Sequence, residues 1–179
     1  MEIRPNNGPR GVRNIRDEEG NKQGIWRAYN YYGDLMSEIE FKNNRMEGKY
    51  VTYFAGGGSK GGKIRESGQY FDGKKDGPYT RNYFSGQIAE EGEYLLNKKN
   101  GRWTTYYIDG QVRNEGEYKQ NKKDGIWKYY NRKGVEGASI EYKNGVNVLE
   151  AEKAKELAEQ KKAEMEKIAK NKKANPVKK

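Results

Sequence analysis

Between Gly24 and Leu149 the chain alternates short runs of aromatic and β-branched residues with polar, glycine-containing breaks, and the alternation repeats. A glycine opens each unit, at Gly24, Gly48, Gly77, Gly101 and Gly125, so the spacings are 24, 29, 24 and 24 residues. The long spacing comes from a five-residue insertion in the stretch Gly56-Gly57-Gly58-Ser59-Lys60-Gly61-Gly62. Two residues after each opening glycine stands an aromatic: Trp26, Tyr50, Tyr79, Trp103 or Trp127. Three further on, Tyr29, Tyr53, Tyr106 and Tyr130 recur, with Asn82 as the exception. A second glycine follows nine residues after the first, and a second run then ends on Phe41, Tyr70, Tyr94, Tyr118 or Tyr142.

Two short runs of this kind, each bounded by turn residues, predict two strands per unit. Glycine recurs too often for helix. In the fourth unit Asp109-Gly110 predicts a two-residue type I′ hairpin. That turn sets Ile108 against Gln111, Tyr107 against Val112 and Trp103 against Gly116. The same register sets Tyr83 against Ile88 and Tyr79 against Gly92, with the ring covering the backbone its opposite glycine leaves bare. In the first and last units Ile39 and Ile140 replace that glycine. Units are expected to close in polar turns such as Gly73-Lys74-Lys75-Asp76-Gly77 and Asn97-Lys98-Lys99-Asn100-Gly101. Side chains alternate across a strand. One face therefore carries Trp26, Tyr50, Tyr79, Trp103, Tyr107 and Trp127, and the other carries charges such as Arg113, Glu115 and Glu117 with the offset-five tyrosines.

From about Val148 the pattern changes to Ala, Glu, Lys and Leu, with no aromatic and no proline before Pro176. These are helix formers, and Ala151, Ala154, Ala158, Met165 and Ile168 recur at helical spacing. The spacing predicts a helix from Val148 to Lys170 with a frayed end beyond it. Lys161 interrupts the stripe where a coiled-coil core residue would be needed. Such a helix either caps the sheet, as the end of a repeat array requires, or projects and docks elsewhere. The expected division is an N-terminal segment with a degenerate half-repeat over 1–23, five repeats over 24–149, and a Lys-rich helix and tail over 150–179.

Composition changes this picture in three ways. Thirty-five per cent of the residues are charged and 32% are hydrophobic, a balance that by itself leans toward disorder. The 15 Tyr, 3 Trp and 4 Phe offset that, because aromatic rings bury large areas per residue. Of the formal net charge of +10, residues 151–179 supply half, with ten Lys against five Glu. Lys161, Lys162, Lys167 and Lys170 are thus candidate contacts for an acidic protein, an anionic membrane or a nucleic acid. There is no His and no Cys, which removes imidazole acid–base chemistry, thiol nucleophiles, disulfides and Cys/His zinc sites. No cofactor or metal is implied. Glu38, Glu91 and Glu115 recur at equivalent offsets, which one carboxylate per unit on a solvated face explains better than a catalytic pair. The glycine-rich insertion lacks the Gly-Lys-Ser/Thr ending of a phosphate loop and reads as a flexible hairpin tip. The first 20 residues carry no apolar signal segment, and no apolar run is long enough to span a membrane. A cytoplasmic protein is expected if Met1 is the native start, and a periplasmic or extracellular one if a signal peptide has been removed.

The recurring motif resembles the MORN repeat, in particular its bacterial variant, often labelled antitoxin-like. The motif is Gly-x-Trp-x-x-Tyr-Tyr-x-x-Gly followed by Glu-Gly-x-Tyr. It stands most fully as Gly101-Arg102-Trp103-Thr104-Thr105-Tyr106-Tyr107-Ile108-Asp109-Gly110 and Glu115-Gly116-Glu117-Tyr118. The resemblance covers about Gly24 to Leu149. It implies an all-β repeat, an elongated open antiparallel sheet of stacked β-hairpins, here with a C-terminal α-helix. It also implies a non-enzymatic scaffold for protein–protein interaction or assembly, and phospholipid attachment as an alternative. Any rings in excess of the packing need on the aromatic face are the expected docking surface for another protein or for a second copy in a homodimer. Membrane attachment through the basic tail and nucleic-acid binding by rings beside basic residues are the competing readings.

Overall fold

The structure, a computed structural model, describes residues 14–58 and 61–174. Its strands are β1 (Ile15–Arg16), β2 (Lys22–Tyr29), β3 (Leu35–Lys42), β4 (Arg45–Tyr53), β5 (Ile64–Phe71), β6 (Lys74–Asn82), β7 (Ile88–Leu95), β8 (Lys98–Tyr106), β9 (Val112–Lys119), β10 (Lys122–Tyr130), β11 (Glu136–Lys143) and β12 (Val146–Asn147). They form one open antiparallel sheet in sequence order. A single helix, α1 (Val148–Ala174), follows. The five expected hairpins are β2–β3, β4–β5, β6–β7, β8–β9 and β10–β11. Strand β1 pairs with the start of β2 as part of the expected half-repeat. The portion of that half-repeat before residue 14 lies outside the described residues, as do residues 59–60 of the insertion and 175–179 at the end of the tail.

The two kinds of turn are exchanged relative to the sequence expectation. Asp109 does not have the positive φ that a type I′ turn requires at both central residues. Instead Ile108-Asp109-Gly110 forms a three-residue loop. The Gly110 N–H donates to the Tyr107 carbonyl (2.9 Å) and the Tyr107 N–H to the Gln111 carbonyl (2.8 Å). Gly110 takes the left-handed position at φ +87°. The type I′ turns lie between units, at Asn43-Asn44, Asp72-Gly73, Leu96-Asn97, Gln120-Asn121 and Asn144-Gly145, where both residues have positive φ. The Lys-Lys-Asp-Gly and Lys-Lys-Asn-Gly segments read as closing turns are therefore the first residues of β6, β8 and β10.

The longer loop moves the pairing by one residue, and a bulge moves it back. Tyr106, not Tyr107, faces Val112, and Asn82, not Tyr83, faces Ile88. Past the bulge the expected pairs Trp103–Gly116 and Tyr79–Gly92 hold, as do Trp26–Ile39 and Trp127–Ile140. On the other side of β4, β6, β8 and β10 the register shifts again, around the unit-opening glycine. That glycine has φ between +65° at Gly24 and +96° at Gly48 in all five units. A left-handed residue at each bulge explains why glycine opens every unit.

Candidate functional site: the ring-lined face and the projecting helix

One sheet face is built from rings that reach back over the preceding strand. Trp103 donates its indole N–H to the Glu93 carbonyl (3.1 Å), and Trp127 donates to the Glu117 carbonyl (2.9 Å). To do so the rings cross Gly92 and Gly116, where a Cβ atom would lie 2.3 and 2.4 Å from the indole. The ring covering each of these glycines thus comes from the following unit rather than from its in-register partner. Tyr50 behaves otherwise. Ile39 stands beside it on β3, and its ring leans onto Gly68 of β5, 2.9 Å from where a Cβ would be. In the first unit the Trp26 indole donates to the Ile15 carbonyl of β1 (3.1 Å).

Edge-to-face contacts join these rings to the tyrosines that end the second strands. Tyr94 meets Tyr79 at 5.1 Å and Trp103 at 5.2 Å, and Tyr118 meets Trp127 at 5.0 Å. A lysine two residues before the opening glycine closes each cluster. Lys22 lies 4.5 Å from the Trp26 ring, Lys75 5.0 Å from Tyr79, Lys99 3.9 Å from Trp103 and Lys123 4.4 Å from Trp127. These are cation–π distances. Met46 takes the position in the second unit. The result is a core on one face of a single-layer sheet, with Trp103 1% exposed, Trp127 2%, Tyr50 2% and Tyr79 7%.

This placement assigns four of the six predicted rings to packing. Tyr50, Tyr79, Trp103 and Trp127 are covered by the chain's own side chains. Of the six predicted rings, Trp26 and Tyr107 are half-buried. The Tyr107 hydroxyl donates to the Tyr130 carbonyl of the next hairpin (2.9 Å), and Arg113 and Arg132 lie 5.9 and 5.5 Å from its ring. Burial pushes the Tyr50 and Tyr79 hydroxyls well above the ordinary tyrosine range, with the nearby Glu66 carboxylate adding to it.

The opposite face holds a second periodic network. The Tyr53, Tyr106 and Tyr130 hydroxyls donate to Glu38 (2.7 Å), Glu91 and Glu115 (2.8 Å), always fifteen residues back. At the third unit both partners of this pair are replaced. Asn82 stands in place of the tyrosine and Ser67 in place of the carboxylate, so the exception at Asn82 is half of a paired change. Burial, together with the bond to Glu38 or Glu91, pushes Tyr53 and Tyr106 up to about 12. Arg102 and Tyr130 hold Glu115 below the ordinary carboxylate range. A carboxylate held ionised in this way is in the wrong state for a general acid. The recurrence of Glu38, Glu91 and Glu115 follows from cross-strand hydrogen bonding.

The described part of the glycine-rich insertion is anchored to the first hairpin loop. The Asp34 carboxylate in the first hairpin loop accepts from the Gly56 N–H (3.0 Å) and the Gly58 N–H (2.8 Å), and also from the Asn30 amide. These donors lower the Asp34 pKa, Asn30 contributing most. Gly57 and Gly62 approach so closely that a Cβ on Gly57 would meet the Gly62 backbone at 2.1 Å.

α1 leaves the sheet at Asn147, whose side-chain oxygen caps the helix by accepting from the Glu150 N–H (3.3 Å). Its contacts with the sheet are concentrated at β11 and β12. Lys161, Lys162, Lys167 and Lys170 are all exposed, and so are Leu157, Met165 and Ile168. Of the two expected arrangements, the helix projects. It is not apolar enough to cross a membrane.

No family model matches the chain, and no curated protein matches it. Among the described residues no cluster of His, Cys, Asp and Glu could hold a metal ion. Sequence reading missed the lysines over the rings and the carboxylates facing them. The signal was present, since Lys22, Lys75, Lys99 and Lys123 each precede an opening glycine by two residues.

Proposed function

We propose that this chain is a non-enzymatic repeat scaffold of the MORN-variant type that mediates protein–protein interaction or assembly, with α1 as its docking arm. The observation that carries this reading is the disposition of α1. It spans 27 residues, about 40 Å at the usual rise, and Leu157, Met165 and Ile168 stand 52%, 70% and 47% exposed. The sheet uses its own aromatic face for packing, so it acts as a stiff platform and offers a second copy little apolar area there. Charge supports a protein partner with acidic residues in and beside an apolar strip, since Lys161 interrupts those side chains and Lys162, Lys167 and Lys170 lie around them.

Affinity capture from the native source tests the proposal. The bait is compared as the full chain, as a chain ending at Asn147, and with Leu157, Met165 and Ile168 replaced by Glu. A partner held by the full chain and lost from both variants is expected; equal recovery from all three sinks the helix as docking element. Membrane attachment is the second reading, favoured by the same lysines. A good interfacial helix sets bulky apolar residues opposite its cations, whereas α1 offers mainly alanines interspersed with glutamates. Sedimentation with anionic vesicles at low salt, abolished by Gln at the four lysines, would replace the scaffold reading. A mobility shift with steep salt dependence would favour nucleic acid instead.

A further inference from the structure

The lysines over the rings do not all have the same neighbours. Lys75 faces Glu66 at 3.5 Å, and Lys99 is ion-paired to Glu90. One unit further on, the carboxylate position is Asn114, in register with Tyr129 of β10 as Glu90 is with Thr105 of β8. Lys123 therefore has the Tyr129 hydroxyl at 2.8 Å and the rings of Trp127 and Tyr142, but no ion pair among the described residues. Arg113, in the bulge of β9, has the Tyr107 ring as neighbour and likewise no carboxylate. On β8, in register with Asn114, the Thr105 hydroxyl is buried with no hydrogen-bond partner. Lys123, Arg113, Thr105 and Asn114 line one open concavity of about 300 Å³, with Arg81 and Glu90 at its far side and Trp103 and Trp127 beneath.

We propose that this concavity is an oxyanion site that takes the phosphate group of a small phosphate monoester. Glu90 is already matched by Arg81 (3.3 Å) and Lys99. Two cations, Lys123 and Arg113, are left without counter-charge, together with two neutral groups able to donate, the Thr105 hydroxyl and the Asn114 amide. A phosphate monoester carries a charge close to −2 at neutral pH and three acceptor oxygens, which matches this set; a carboxylate carries −1 and two. The volume is at the lower end for small-molecule sites and leaves room for an organic group beside the phosphate. Lys75 and Lys99 cover their rings with a carboxylate in place, whereas Lys22, like Lys123, has no ion pair among the described residues; what sets Lys123 apart is the company of Arg113, Asn114 and the unpartnered Thr105 hydroxyl. The larger concavity on the opposite face, about 600 Å³, is lined by Glu91, Glu93 and Glu115, and its Arg102 is bound to Glu115. It offers no free cation.

The site is independent of what α1 docks to, so its test leaves that reading untouched. The full chain is titrated at constant ionic strength with inorganic phosphate, phenyl phosphate and benzoate, following the Thr105 and Asn114 amide resonances. Saturable shifts with phenyl phosphate are expected, weaker ones with inorganic phosphate, and none with benzoate. The deciding variant is Asn114→Glu, which rebuilds the Glu66/Lys75 pattern around Lys123 without removing any covering side chain. It is expected to keep the thermal transition and to weaken phenyl phosphate binding about tenfold or more, the usual effect of losing a charge-assisted hydrogen bond. Lys123→Met should do the same. Shifts no larger than sodium chloride produces, or Asn114→Glu binding as tightly as the parent, overturn the proposal. Equal binding of inorganic phosphate and phenyl phosphate overturns the monoester assignment in favour of free phosphate.

Discussion

Replacing Gly116 by Ala separates two accounts of this sheet, because they predict opposite signs. By backbone propensity alone, a glycine in a strand interior weakens the strand by roughly 0.5–1 kcal/mol relative to Ala, and the substitution should stabilise. The structure points the other way. A Cβ at Gly116 would lie 2.4 Å from Trp127 Cδ2 and 2.5 Å from Cε2 and Cγ. Ordinary contact begins near 3.4 Å, so the indole must retreat by about 1 Å. Retreat would disrupt the contacts that hold Trp127 in place. It is 2% exposed, its N–H is 2.9 Å from the Glu117 carbonyl, and Tyr118 stands edge-on at 5.0 Å. Overpacking of this kind costs about 1–3 kcal/mol, and a lost indole hydrogen bond adds about 1. With the propensity gain subtracted, a net destabilisation of about 1–3 kcal/mol is expected. Gly137→Ala is the internal control. Its φ is not positive, and the nearest atom to an added Cβ is the Tyr129 carbonyl oxygen at 3.8 Å. That substitution should be neutral or stabilise by up to about 1 kcal/mol. Urea unfolding followed by tryptophan fluorescence and far-UV circular dichroism measures both. Equal effects at the two glycines, or a more stable Gly116→Ala, would refute the claim that the ring owns the space above the glycine.

Further consequences follow from the same structure. Acidification should lower stability as the pH falls through the depressed Glu115 pKa, because the unfolded state takes up that proton first; Glu115→Gln should flatten this part of the profile in urea melts at pH 3 to 6. At the alkaline end, Tyr53 and Tyr106 ionise only near pH 12 when folded. Stability should therefore fall as pH rises from about 10, where unfolded tyrosines titrate, toward 12, and absorbance at alkaline pH should show tyrosines ionising only on unfolding. Asn121→Gly should cost only the bond to the Lys99 N–H, about 1 kcal/mol, since glycine accepts φ +70°, while Asn121→Val should cost clearly more because it adds a left-handed β-branched residue to the same loss. A chain ending at Asn147 should keep the urea midpoint of the full chain, because the contacts of α1 are concentrated at β11 and β12 and its Leu157, Met165 and Ile168 stay exposed; a clear drop in midpoint would show that the helix stabilises the sheet.

Much of this architecture was legible because the repeat imposes the same local requirement five times. A glycine recurring at fixed spacing marks a left-handed backbone position, and Gly24, Gly48, Gly77, Gly101 and Gly125 all prove to be one. The stem register could be read from one turn only because two departures offset each other, a loop one residue longer than expected and a bulge that restores the count. Turn type was less legible. Asp109-Gly110 and Asn97-Lys98 both offer turn chemistry, and the choice depends on which residues the flanking strands pair. Tyr50, Tyr79, Trp103 and Trp127 were legible as a packing face, but not the side chains that cover it. Coverage comes from Lys75, Lys99 and Lys123 reaching across strands, which no single unit displays.

The sequence by itself determined the repeat, the hairpins, the positive-φ glycines and the helix from Val148, because each rests on short-range backbone preference and on side-chain periodicity. Tertiary structure alone decided which ring lies over which glycine, that α1 stands away from the sheet, and that Lys123 and Arg113 are left without a carboxylate. Those outcomes depend on how neighbouring units stack, where a ring can lean either way and one side chain, such as Ile39 beside Tyr50, settles the direction.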